Sequence, residues 1–74
     1  MMEDWREQLI VSTLKSRIQM FKTFIETEEK DMEWAKEREL TELADWHLGR
    51  SKGYAAGLNT LRDILNMFPG EGDA

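Results

Sequence analysis

The sequence predicts an all-α protein, in which a long helix and a shorter one form a hairpin and two hairpins assemble as a dimeric helical bundle. Three observations carry this expectation. No Gly or Pro occurs in the first 48 residues, which are rich in Glu, Lys, Leu, Met, Ala and Arg. Such straight-chain residues lose little rotamer freedom in a helix, and nothing in the run breaks one. The apolar residues recur at intervals of three and four, the mark of a helical face, and no alternating run is long enough for a strand. Finally, 74 residues with no Cys and one His offer no disulfide, thiolate zinc site or imidazole cage to support a small core. Association with another copy is the support that remains.

The first helix is expected over about 4–47. Ile10, Leu14, Ile18, Phe21 and Ile25 step along one face, which continues through Met32, Ala35, Leu40, Leu43 and Trp46. Ile10, Phe21, Met32 and Leu43 are also spaced by eleven, as are Phe24, Ala35 and Trp46. An eleven-residue repeat keeps a helix straight or slightly right-handed. The turn is expected at about 48–51, where Gly49 can take the left-handed conformation and Ser51 can cap a following helix. The second helix is expected over about 51–68, on the stripe Tyr54, Leu58, Leu61, Leu65 and Phe68. Pro69-Gly70 then ends it, so that one domain occupies 1–68 and 69–74 form a flexible tail. A competing reading keeps Gly49, Gly53 and Gly57, spaced by four, inside one unbroken helix.

With the turn at 48–51 the second helix reaches only the distal half of the first. Leu40, Leu43 and Trp46 would then pack on Tyr54, Leu58, Leu61, Leu65 and Phe68 within the hairpin. The stripe Ile10, Leu14, Ile18, Phe21, Phe24 and Ile25 would be left bare. Each such side chain is worth roughly 1.5–3 kcal/mol when fully buried, so these six are the expected homodimer interface.

The net charge of −5 argues against nucleic acid as a direct partner, since phosphate binding needs clustered Lys and Arg. The charge is banded. Residues 6–25 carry four bases and one acid, 26–45 nine acids and three bases, and 46–62 three bases and no acid. The bands set register between helices, or form an acidic ridge facing a basic partner surface. Glu29, Glu33 and Glu37 lie along that ridge. Trp34 falls on the far side of the helix from the apolar stripe, together with Trp5 and Leu9. Tryptophan is enriched where proteins bind one another, so Trp34 with Glu29, Glu33 and Glu37 is the candidate contact for a protein partner.

No catalytic constellation is legible. His47 stands where the first helix should end, a place for capping carbonyls, and Ser12, Ser16 and Ser51 lack a base. Glu26, Glu29, Glu33 and Glu37, with the pair Glu42 and Asp45, have the spacing of magnesium-binding helices. The facing helix carries only Asp63, so neither a metal nor another cofactor is expected. No run approaches the roughly 20 apolar residues of a membrane span, and the acidic Met1-Met2-Glu3-Asp4 is unlike a signal peptide. The expectation is a cytoplasmic, non-enzymatic protein.

The stretch Gly53-Tyr54-Ala55-Ala56-Gly57-Leu58-Asn59-Thr60-Leu61-Arg62-Asp63-Ile64-Leu65 resembles the closing helix of small uncharacterised helical proteins encoded by phages and prophages. The resemblance covers 13 of 74 residues and carries over no functional residue. It implies an accessory protein, located in the host cytoplasm, that binds a host or defence protein. The alternatives are a virion or assembly factor and an acidic decoy of a nucleic-acid-binding protein.

Overall fold

The computed structural model describes residues 4–70. They form two helices, α1 over Asp4–Glu37 and α2 over Thr41–Leu65, packed antiparallel as a hairpin about 58 Å long and 16 Å across. No strand occurs among the described residues.

The turn lies at 38–40, ten residues before the expected one. Backbone hydrogen bonds from Leu40 N–H to Ala35 O at 2.9 Å and from Glu39 N–H to Lys36 O at 3.0 Å close the end of α1. This pair of bonds is the Schellman motif, which places one residue in the left-handed region to satisfy the last carbonyls. That residue is Glu39, at φ 59°. Leu40 then opens α2 by accepting from Ala44 N–H at 2.9 Å, with no side-chain cap.

The expected first helix of 4–47 is therefore divided, and Gly49, Gly53 and Gly57 all lie inside α2. A helical glycine costs about 1 kcal/mol relative to alanine, and packing decides whether it persists. At Gly57 the reason is visible, because a Cβ there would fall 2.6 Å from Phe21 Cε2. At Gly49 and Gly53 nothing lies within 4 Å of where a Cβ would sit. At its other end α2 stops at Leu65, and Met67 and Phe68 N–H groups bond back to Ile64 and Leu65 carbonyls in a tightened last turn. Of the expected tail, 71–74 fall outside the described residues.

The earlier turn redistributes the core. α2 is now long enough to reach the proximal half of α1, and its buried Leu58 and Leu65 pack with Ile18 as the centre of the core. Val11, Leu14, Phe21, Ile25 and Leu61 pack around them. Four of the six residues expected at an oligomer interface, Leu14, Ile18, Phe21 and Ile25, thus belong to the hairpin itself. Ile10 and Phe24 stay exposed, at 48% and 37%. Tyr54, Leu58, Leu61, Leu65 and Phe68 are buried or half-buried, with Leu58, Leu61 and Leu65 packed on the proximal half of α1. Leu40, Leu43 and Trp46 are exposed, because they belong to the turn and to α2 and so cannot pack against α2. No helix among the described residues is long and apolar enough to cross a membrane.

Candidate functional site

Between the Ile18–Leu58–Leu65 core and the buried Ala35 and Ala44 near the turn, the contact between the helices becomes polar. Glu28 follows Ile25 and precedes Met32 on the inward stripe of α1, so its carboxylate is carried into the interface and is buried. α2 meets it with two basic side chains one turn apart. His47 Nδ1 lies 2.6 Å from Glu28 Oε2, and Arg50 Nε donates to Glu28 Oε1 at 2.8 Å. The Arg50 and His47 hydrogen bonds hold the Glu28 carboxyl below the usual carboxylate range, and they outweigh burial, which acts the other way. An ionised carboxylate only accepts, so the imidazole donates from Nδ1. The Glu28 bond in turn raises the Arg50 guanidinium.

Arg50 extends the cluster outward. Its second nitrogen donates to the Tyr54 hydroxyl at 3.0 Å, and its guanidinium stacks 4.7 Å from the Trp46 ring centre. Trp46 meets His47 edge to face at 4.9 Å. Tyr54 continues into a ring cluster with Phe24 at 5.1 Å and Phe21 at 5.8 Å, and Phe21 lies over Gly57. One flank of the hairpin is therefore a continuous band of Trp46, Arg50, Tyr54, Phe24 and Phe21. Among the described residues no buried side-chain polar atom lacks a hydrogen-bond partner.

Glu28, Asp31 and His47 bring three potential metal-ligand atoms within 4.8 Å of one another. Both oxygens of Glu28 are already engaged, one of them by a guanidinium whose charge opposes a cation in the same place. The chemistry of the donor set is that of an ion-pair latch between helices. His47 thus sits in the interior of α2 facing Glu28, and does not cap the end of the first helix.

The opposite flank is charged. A shallow groove there is lined by Glu26, Glu29, Lys30, Met32, Glu33, Leu48 and Ser51. A second runs along Lys15, Ile18, Gln19, Lys22, Arg62 and Leu65. Of the candidate partner contacts, Glu29 and Glu33 line the first groove, and Glu37 ends α1 beside the turn. Trp34 is 48% exposed, with Arg38 stacked 4.2 Å from its ring centre and donating to the Trp34 carbonyl. The structure does not bring Trp34 to the Glu28 cluster. Sequence reasoning did not find that cluster, although a signal was present: an acid at an inward position of one helix, with His and Arg three apart on the other.

Comparison with family models, curated proteins and solved structures finds no match to this chain. The functional reading therefore rests on the residues themselves.

Proposed function

We propose that this chain is a non-enzymatic protein-interaction module, a self-associating helical hairpin of the phage-accessory kind that binds a host or defence protein in the cytoplasm. One observation carries the reading. Among the described residues eleven large hydrophobic side chains are exposed, including all three tryptophans, whereas five hydrophobic residues are buried. Exposed apolar side chains in this number, with tryptophan prominent among them, are what a contact surface presents. The polar groups nearest to a chemical site are consumed in the interhelical latch, which supports binding over turnover.

Trp34 and the ridge of Glu29, Glu33 and Glu37 supply the contact to the heterologous partner. Tryptophan contributes apolar area and an N–H donor, and the acids select a basic counterpart and speed encounter. The test is capture from a lysate of the cells that encode the chain, comparing wild type with Trp34→Ala and with Glu29→Lys/Glu33→Lys. The expected result is one protein retained in stoichiometric amount by wild type, lost with either variant and weakened by salt. Retention that ignores both variants, or turnover of a nucleotide panel by the purified chain, would overturn the reading.

A further inference from the structure

The two flanks of the hairpin differ in chemistry, and the apolar one has a symmetry that names its occupant. At about 100° per residue, Ile10, Arg17, Phe24 and Asp31, each seven apart, share one strip of α1 beside its buried stripe. The strip faces the same way as Trp46, Gly53 and Ile64 of α2, because Phe24 touches Tyr54 and Tyr54 bonds to the Arg50 that covers Trp46. Thr13 and Thr27 border the strip, and their hydroxyls bond back to the Leu9 and Thr23 carbonyls. Their hydroxyl donors are thus satisfied within the helix.

We propose that this flank receives a second copy of the chain, laid antiparallel, with a two-fold axis crossing the hairpin at the level of Phe24 and Tyr54. Arg17 and Asp31 lie seven residues to either side of Phe24. Under that axis Phe24 meets its own copy, and Arg17 meets the partner's Asp31, twice. Neither Arg17 nor Asp31 has an ion-pair partner among the described residues. On α2 the same axis sets Leu43 and Trp46 against the end of the partner that carries Leu61 and Ile64. The middle of that contact is Gly53, where open space replaces a side chain and the backbones can approach. A two-fold axis along the helices would instead lay α1 against the partner's α2 and keep Arg17 and Asp31 apart. Under the proposed axis 11–37 of α1 overlap their copies, about 40 Å of helix by 16 Å of width, or roughly 600 Å² in flat projection and more in corrugated accessible surface, which approaches the ~800 Å² a standard interface takes from each partner.

The assembly deepens the interaction-module reading and rests on it, with its own readout. Sedimentation equilibrium over the micromolar range is expected to give a dimer for the full chain. Arg17→Asp alone and Asp31→Arg alone each weaken it by about tenfold, since two symmetry-related pairs turn repulsive. The double variant Arg17→Asp/Asp31→Arg restores it. The chain has no cysteine, so orientation is read separately by single Arg17→Cys and Asp31→Cys variants. Mixed under oxidant, they are expected to cross-link to each other and neither to itself. A wild-type monomer throughout, a double variant as weak as the singles, or self-cross-linking of Arg17→Cys would each overturn the proposal. Loss of the dimer with partner capture intact separates its failure from that of the interaction reading.

Discussion

Two glycines eight residues apart on α2 respond in opposite ways to alanine, because one is filled from across the hairpin and the other faces outward. At Gly49 nothing lies within 4 Å of a new Cβ, so only helix propensity changes, and Gly49→Ala gains up to about 1 kcal/mol. At Gly57 the Cβ would sit 2.6 Å from Phe21 Cε2 and 3.2 Å from Cδ2, inside van der Waals contact. The ring has little room to yield, with Tyr54 5.8 Å and Phe24 6.0 Å away. Overpacking of this kind costs about 1–3 kcal/mol, which exceeds the propensity gain. The two variants should therefore differ by about 2 kcal/mol, a separation on the order of 10 °C in Tm for a chain of this size. Thermal unfolding followed by far-ultraviolet circular dichroism measures it, at one protein concentration because association contributes to Tm. Phe21→Leu should relieve most of the Gly57→Ala penalty in a double-mutant cycle. Gly57→Ala as stable as wild type would refute the close-packed helix crossing on which the register depends.

Three further outcomes follow from the same geometry. Glu39→Gly should stabilise the hairpin by about 0.5–1 kcal/mol, since glycine takes the left-handed conformation without the Cβ clash that glutamate suffers at φ 59°; urea denaturation reads it. Leu65→Ala should cost about 2–5 kcal/mol, enough to unfold a core this small, whereas the 80% exposed Met67→Ala should change stability by less than about 0.5 kcal/mol. Acidification should weaken the latch. Because Glu28 has its folded pKa depressed, its contribution is full above the ordinary carboxylate range. It is lost as pH falls through the depressed value, where the unfolded chain binds the extra proton. A pH series of denaturation midpoints should show this acid limb flattened in Glu28→Gln, and an unchanged limb would remove the latch from the account.

The two helices were legible in the sequence and the turn between them was not. Helix-forming composition and the stripes 10–25 and 54–65 describe local preference, which the structure keeps. The turn depends on one backbone conformation at Glu39, and glutamate carries no sign of it. The glycines carried a sign that points elsewhere. Gly49 can end a helix, yet it lies in α2 facing outward, and Gly57 is small because Phe21 must pass. That distinction depends on the partner helix, so it is a property of packing and not of the local sequence. The Glu28–His47–Arg50 latch was hidden for the same reason. With the turn at 48–51, Glu28 would have faced no basic pair, and His47 would have belonged to a helix end.

The displaced turn also changes what the charge bands can do. Inside the hairpin Glu28 lies against His47 and Arg50, and Phe21 and Phe24 lie against Tyr54 and Gly57. Residues 15–22 of α1, with three bases and no acid, therefore run beside 56–63, and not beside the acidic stretch that follows them in the same helix. That stretch, 26–37, has six acids against two bases, and among the described residues its ion-pair partners on α2 are the latch residues His47 and Arg50. Opposite bands at the two ends of one straight helix cannot meet by any folding of that helix. In the proposed antiparallel dimer on the Phe24 flank, Arg17 and Asp31 are the members of the two bands that would meet, because Lys15, Lys22, Glu26, Glu29 and Glu33 line the opposite flank. The proposed dimer thus draws its register from one residue of each band, and Arg17 and Asp31 are where that proposal can be measured.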